Sequence, residues 1–74
     1  MIEPRPVEIH DASIRLGQLL KLAGLVESGS DVKLVLADGD VSVNGEPETR
    51  RGRRLALGDV VVCGGEEVQV VGQA

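Results

Sequence analysis

The 74-residue sequence contains no phenylalanine, tryptophan or tyrosine. Without aromatic rings, the chain has no side chain on which an unpaired base can stack. This excludes the RNA-recognition modes that use aromatic sheet platforms or aromatic OB-folds. Hydrophobic residues still make up 42% of the chain, so its core must consist of Val, Leu, Ile and Ala. A chain this short supports one core, and we expect residues 1–74 to form a single domain.

Cysteine and histidine each occur once, as Cys63 and His10. A lone cysteine forms neither an intramolecular disulfide nor a cysteine-based metal site. Because Cys63 ends the apolar run 60–62, we predict that it is a small core residue. We interpret His10 as an exposed or locally hydrogen-bonded side chain. The sequence therefore predicts no metal and no cofactor.

Long apolar runs and catalytic motifs are also missing. No run approaches the roughly 18 apolar residues of a membrane span, and the first residues lack the apolar segment of a signal peptide. The expected setting is therefore cytoplasmic and reducing, away from membranes. No Ser/His/acid constellation and no G-x-x-x-x-G-K-[ST] loop is present. We therefore do not expect an enzyme.

Two short helices are predicted in the first half of the chain. Apolar residues recur at the i, i+3, i+4, i+7 spacing of an amphipathic helix, at Leu16, Leu19, Leu20 and Ala23. Asp11 or Ser13 is its predicted cap, and Gly24 is its predicted end. The opposite face carries Arg15, Gln18 and Lys21, which the simplest interpretation treats as a solvated surface.

A second helix is predicted after the turn Ser28-Gly29-Ser30-Asp31, with Ser28 or Ser30 as its cap. It extends to about Ala37, where Gly39 ends it. Its buried stripe comprises Val32, Val35 and Leu36. Lys33 lies off that stripe, so we expect it to be exposed.

Two hairpin turns predict a small sheet in the second half. Val41 and Val43 precede Asn44-Gly45, a favoured pair for a type I′ turn, and Gly64-Gly65 is a second turn. Residues 55–59 are predicted to form a packed loop. Strands this short favour antiparallel pairing. The expected fold class is α+β, with two short helices packed on a small, mostly antiparallel sheet.

Half of the eight Lys and Arg residues lie between positions 50 and 54, although the net charge is −4. We call Arg50, Arg51, Arg53 and Arg54 the arginine cluster. One interpretation is a solvated loop in which Glu46 and Glu48 form ion pairs of about 0–1 kcal/mol each. The other is a site for an anion, because guanidinium groups match phosphate oxygens. If Lys21 and Lys33 face the cluster, the two helices supply the walls of that site.

The order and spacing of these motifs resemble the S-four RNA-binding domain, the alpha-L module named after a protein of the small ribosomal subunit. The matching residues run from Leu16 to Asp59, within a core motif of about residues 14–63, and look most like the small stand-alone bacterial members of YbcJ/YaaA type. The resemblance rests on Gly17-Gln18, Lys21-Leu22, Val43-Asn44-Gly45-Glu46, the arginine cluster with Gly52, and Gly58-Asp59.

The resemblance implies a non-catalytic protein that binds a stem or stem-loop of ribosomal, transfer or other structured RNA. The positions implied at the RNA-binding surface are Lys21, Ser28, Gly29, Lys33, Arg50, Arg51, Arg53 and Arg54. Ser28 and the amides that open the second helix are expected to hold one phosphate. We expect a monomer, and leave ribosome association open. The alternative is a protein-interaction module whose arginine cluster docks an acidic partner.

Overall fold

The computed structural model describes residues 3–72, so the predicted domain extends two residues further at each end. The elements are β1 (Arg5–Ile9), β2 (Ser13–Arg15), α1 (Leu16–Leu22), α2 (Gly29–Ala37), β3 (Val41–Val43), β4 (Glu46–Pro47), β5 (Arg54–Ala56), β6 (Val60–Cys63) and β7 (Glu66–Gly72). Neither helix in this part of the chain is long and apolar enough to cross a membrane.

Five of the strands form one sheet in the order β1-β7-β6-β3-β4, and β2 pairs with β5 in a separate ribbon. All pairs are antiparallel except β1 with β7. The predicted α+β class with a mostly antiparallel sheet is therefore confirmed. The parallel pair is possible because both helices and strands β2 to β6 lie between β1 and β7, which gives the long connection that parallel pairing needs.

Helix α1 buries the side chains that its periodicity predicted. Leu16, Leu19 and Leu20 are fully buried, and Ala23 is nearly so. Gly24 follows with a φ of +73°, the left-handed conformation expected of a residue that ends a helix. The face of α1 that carries Gln18 and Lys21 is exposed.

The predicted cap of α1 is wrong. Ser13 lies in β2, and the helix begins only at Leu16. Its first two amides are satisfied by main-chain carbonyls from a distant segment: Leu16 N donates to Arg53 O at 2.8 Å, and Gly17 N donates to Arg51 O at 2.9 Å. A tertiary contact thus replaces the side-chain cap that Asp11 or Ser13 was expected to supply.

The ribbon of β2 and β5 is the second departure from the prediction. Residues 54–56 pair with residues 13–15, so Leu55 lies opposite Ile14 in a strand and not in a loop. The Leu55 side chain is fully buried. Because the two strands are far apart in the chain and only three residues long, no local sequence pattern predicts their pairing.

Helix α2 matches its prediction. Ser28 is the N-cap, and its Oγ accepts a hydrogen bond from Asp31 N at 3.3 Å. Val32 and Leu36 are buried, Val35 is half-buried, and Lys33 is exposed. Gly39 follows the helix with a φ of +76°.

Both predicted hairpin turns are present, with positive φ values at Asn44 (52°), Gly45 (86°), Gly64 (57°) and Gly65 (86°). The Asn44 side chain also fastens its hairpin to the rest of the sheet. Its Nδ2 donates to Asp59 Oδ1 at 3.1 Å, and its Oδ1 accepts from Val60 N at 2.9 Å. The Val-Asn-Gly and Gly-Asp motifs are therefore linked by direct hydrogen bonds in the folded chain.

A single aliphatic core lies between the helices and the five-stranded sheet. Cys63 belongs to it as a free thiol that is 5% exposed, which confirms its predicted role as a small core residue. Burial, with the nearby carboxylates of Asp40 and Glu66 as lesser causes, raises the pKa of this thiol. His10 is exposed, as predicted.

Candidate functional site

The carboxylate of Glu48 is the centre of the loop that carries the arginine cluster. Glu48 is only 6% exposed. Its Oε2 accepts hydrogen bonds from Thr49 N at 2.9 Å and from Arg50 N at 3.1 Å. The same oxygen contacts Arg50 Nε at 3.3 Å, while Oε1 contacts Arg50 Nη2 at 3.3 Å and Arg53 Nη1 at 3.0 Å.

These contacts keep Glu48 ionised. Hydrogen bonds from the Arg50 side chain, then from the Arg50 amide and the Arg53 side chain, lower the pKa of Glu48 to about 2. The pairing in turn raises the pKa of Arg50. One buried negative charge is therefore fixed between two positive ones at any pH near neutrality.

The arginine cluster is consequently divided into two pairs. Arg50 and Arg53 form ion pairs with Glu48, whereas Arg51 and Arg54 form none within residues 3–72. The paired side chains are not equally enclosed, because that of Arg50 is 76% exposed and that of Arg53 is 31% exposed. The Arg50 guanidinium therefore still presents a face to solvent. Glu46, the other predicted partner, is exposed and makes no ion pair in the described part of the chain.

Helix α1 holds this loop in place through main-chain contacts. Besides the amides of Leu16 and Gly17, the Arg15 side chain binds the loop, since its Nη1 donates to Gly52 O at 3.1 Å. A Cβ on Gly17 would lie 3.4 Å from Arg51 O. Position 17 therefore has room for a Cβ, but for little more, between the helix and the loop.

Arg51 lies between two open clefts. The first, which we call the α2 cleft, has a volume of about 270 Å³ and is lined by Lys33, Leu36, Ala37, Thr49 and Arg51. The second, the α1 cleft, also has a volume of about 270 Å³ and is lined by Arg15, Gly17, Gln18, Lys21, Arg51 and Gly52. The structure thus places Lys21 and Lys33 on the two sides of Arg51.

Ser28 and Gly29 lie at the start of α2, near the same arginine. A Cβ on Gly29 would be 4.0 Å from Arg51 Nη2. Ser28 Oγ is already used as the helix cap, and Asp31 Oδ2 accepts from Glu27 N at 3.3 Å. The helix opening therefore carries its own carboxylate, and a phosphate held there by Ser28 stays a prediction.

Arg15 is the cation at this surface that the sequence pattern did not single out. Treated as part of a solvated helix face, it instead ends β2, lies opposite Arg54 in the ribbon, and lines the α1 cleft. The available signal was its position on the same predicted face as Lys21. Arg5 has a different role, because its Nη2 donates to Ala23 O at 2.7 Å, where a cation suits the end of α1.

Metal chemistry has no visible site in this surface or elsewhere in residues 3–72, where no group of three His, Cys, Asp or Glu side chains is arranged to hold an ion. What the surface does offer is a set of guanidinium and ammonium groups on both sides of Arg51. Such groups bind anions with several oxygen atoms.

The profile of the S4 domain matches residues 7–71, nearly the whole of the described chain. The chain belongs to the S4 domain family. Its sequence is 50% identical over 56 residues to the probable ribosome maturation protein RlbA of Bacillus subtilis, which covers 76% of this chain and 79% of that protein. It is 43% identical over 58 residues to the putative RNA-binding protein YbcJ of Escherichia coli, covering 78% of this chain and 83% of that protein.

The S4 domain fold is also supported by a solved structure. The solution structure of Escherichia coli YbcJ, described as revealing an alfaL motif involved in RNA binding, superposes with a TM-score of 0.71 at 36% sequence identity. The match covers 96% of this chain and 91% of that one. The predicted resemblance to stand-alone bacterial members of the family is therefore confirmed.

Proposed function

We propose that this chain is a non-catalytic protein that binds structured RNA through the surface formed by α1, α2 and the arginine cluster. The observation that carries the proposal is the position of Arg51 between two clefts that each contain a further cation. Two relatives support the same function by their names, the putative RNA-binding protein YbcJ and the probable ribosome maturation protein RlbA. We therefore propose ribosomal RNA as the first class to test, ahead of transfer RNA.

The chemistry of the surface favours the phosphate backbone over the bases. Arg51 and Arg54 lack acidic partners within the described residues, and Lys21 and Lys33 are exposed on the helices. Guanidinium groups hold two phosphate oxygens at once, and lysines act as mobile point charges. With no aromatic side chain in the sequence, the protein has nothing on which to stack a base. It should therefore recognise the shape of a stem or stem-loop.

Arg50 and Arg53 contribute chiefly by fixing the loop. Their shared carboxylate, Glu48, orders the main chain of residues 49 and 50 and sets the direction of both side chains. A loop that is ordered before binding loses less conformational entropy when the RNA arrives. The exposed face of Arg50 supplies additional positive charge at the edge of the site.

The test is binding of a fluorescein-labelled RNA hairpin over a series of salt concentrations. If roughly four to six phosphates are neutralised, the slope of log K against log salt will be about −3 to −5. Replacing all four residues of the cluster by Ala should abolish most of the affinity. Because that variant also leaves the buried Glu48 carboxylate without its partners, a double variant, Arg51→Ala with Arg54→Ala, keeps both ion pairs and should still weaken binding. Arg5→Gln, which removes one cation outside the surface, is the control for a single lost charge. A flat salt response, or full affinity in both Ala variants, would contradict the proposal.

The alternative is an acidic protein partner at the arginine cluster. The molecule that co-purifies with the chain distinguishes this alternative from RNA binding. Since the chain has no Trp or Tyr, bound RNA would dominate its absorbance at 260 nm. RNase treatment should remove that signal if the ligand is RNA. A preparation that carries a protein and no nucleic acid would favour the alternative.

A further inference from the structure

The α1 cleft concentrates positive charge that nothing in the described chain neutralises. Arg15, Lys21 and Arg51 all line it. None of the three forms an ion pair within residues 3–72. On the other side of the loop, by contrast, Glu48 compensates Arg50 and Arg53 with a single carboxylate. The positive charge of the α1 cleft is therefore available to an anion from outside the protein.

The ribbon adds to this imbalance. In the β2–β5 register, Arg15 is directly opposite Arg54. Residues directly opposite in an antiparallel pair have their Cβ atoms about 4.5–5.5 Å apart, and like charges there destabilise the pair. Both side chains are exposed. Arg54 does not line the α1 cleft, but an anion bound beside Arg15 would reduce this repulsion.

The cleft already holds one of its cations in position. The Arg15 guanidinium is already directed to this place, since its Nη1 donates to Gly52 O at 3.1 Å. Its other N–H groups make no hydrogen bond within residues 3–72, so they can bind an oxygen of a ligand while that contact holds the side chain in position.

We propose that the α1 cleft is a phosphate subsite in which Arg15, Lys21 and Arg51 hold one phosphate group. Its ligand in the RNA complex is a backbone phosphate, so the inference rests on the proposed function and adds Arg15 to the surface. A phosphate group from another source has the same chemistry. The experiment therefore has one arm with RNA and one with a small phosphate compound.

The first arm follows the ¹H–¹⁵N NMR spectrum of the protein during titration with inorganic pyrophosphate. The amides of Gly17, Gln18 and Gly52 should shift together and saturate. Arg15→Gln should weaken this binding by about two- to fivefold, as expected for one exposed ion pair. Arg5→Gln makes the same change in net charge at a residue outside the cleft and should leave the titration unchanged.

The second arm measures the salt slope with the labelled RNA hairpin. Arg15→Gln should reduce the slope by about 1, whereas Arg15→Lys, which keeps the charge, should restore it. The spectrum of each variant shows directly whether it is folded. The Arg15→Lys variant thus separates loss of the positive charge from loss of the guanidinium group.

The two arms distinguish failure of the subsite from failure of the RNA-binding function. RNA binding in which Arg15→Gln behaves as the unmodified chain, in both slope and titration, overturns the subsite and leaves the function intact. No RNA binding, with a pyrophosphate response that Arg15→Gln weakens, overturns the function and supports the subsite. Shifts spread over the whole surface and insensitive to Arg15 overturn the subsite.

Discussion

At the scale of single residues, Glu48 has the largest effect on the site. It accepts five hydrogen bonds, two from main-chain amides and three from guanidinium nitrogens. In doing so it uses two of the four arginines to order the loop. The remaining charge on Arg51 and Arg54 is then presented from a fixed main chain.

Glu48→Gln should lower the melting temperature at pH 7 by a few degrees, because the neutral amide attracts Arg50 and Arg53 less. The pKa of Glu48 is about 2 in the folded chain, against an ordinary value of 4.5. Its contribution to stability is therefore complete above about pH 4.5 and is lost as the pH falls towards 2. Thermal unfolding followed by circular dichroism between pH 7 and pH 2 checks this.

The effect of Glu48 is isolated by subtracting the melting temperature of Glu48→Gln from that of the unmodified chain at each pH, because the other carboxylates titrate in both proteins. The difference in melting temperature should be constant from pH 7 to about pH 5 and shrink below that. A difference that stays the same down to pH 2 would show that the charge of Glu48 does not stabilise the fold.

Substitutions at Gly17 test how closely the loop must approach α1. A Cβ at this position would lie 3.4 Å from Arg51 O and 3.5 Å from Val32 Cγ1, which is ordinary contact. Gly17→Ala should therefore change the free energy of unfolding by no more than about 1 kcal/mol, with its higher helix propensity as compensation. Gly17→Val places two methyl groups more than alanine in the same space. It should therefore lower the free energy of unfolding by about 1–3 kcal/mol.

Urea unfolding of both variants measures these free energies. The RNA hairpin provides a second readout, because the larger side chain of Gly17→Val should displace the Arg51 carbonyl and weaken RNA binding more than Gly17→Ala does. Equal stability and equal affinity for the two variants would show that the helix and the loop are not in close contact.

At the scale of elements, the β2–β5 ribbon connects the core to the arginine cluster. Arg54 and Leu55 are neighbours in β5, with one side chain exposed and the other fully buried. Burial of Leu55 therefore fixes the position of Arg54, the last residue of the arginine cluster, at the surface directly beside the core. Opposite them, β2 leads directly into α1.

Leu55→Ala should destabilise the protein by about 2–5 kcal/mol, because it removes a fully buried side chain and leaves a cavity. At about 0.05–0.15 kcal/mol per residue, a chain of 74 residues has roughly 4–11 kcal/mol in total. The matched control is Leu57→Ala, since Leu57 is 50% exposed and surface changes usually stay within about 0.5 kcal/mol. Similar urea midpoints for the two variants would contradict the role assigned to the ribbon.

At the scale of the whole molecule, part of the negative charge lies in a cleft of its own, apart from the two clefts beside Arg51. Arg15, Lys21 and Lys33 share their clefts with Arg51, whereas Glu3, Glu66 and Glu67 line a separate cleft together with Arg5. A net charge of −4 is therefore compatible with local attraction of phosphates, since charges more than about 10 Å apart are largely screened at 0.1 M salt.

Cys63 offers a probe of the whole fold in a chain without Trp or Tyr. Its thiol is buried in the core and its pKa is raised, chiefly by burial. Reaction with a thiol reagent such as 5,5′-dithiobis(2-nitrobenzoate) should therefore be about 100-fold or more slower in the folded chain than in urea. Leu55→Ala should accelerate it markedly, and Leu57→Ala should not. Rapid labelling of the unmodified protein without denaturant would contradict this packing.

Local patterns predicted both helices and both hairpins correctly because each depends on residues close in sequence. The spacing of Leu16, Leu19 and Leu20 marks one helix, and the Asn44-Gly45 pair supplies the positive φ angles that a type I′ turn requires. The start of α1 could not be predicted in the same way. Its cap is a pair of carbonyls from Arg51 and Arg53, which no local motif reveals.

The amino-acid sequence by itself determined the α+β class, the aliphatic core, the family and the concentration of arginines between positions 50 and 54. These depend on composition, short periodicities and motif order. Only the tertiary structure decided which arginines pair with Glu48, because the ion pairs depend on where its carboxylate lies in space. It also brought Arg15 beside the cluster by pairing β2 with β5. Charge is a property of the sequence, but its compensation depends on distances that only the fold sets.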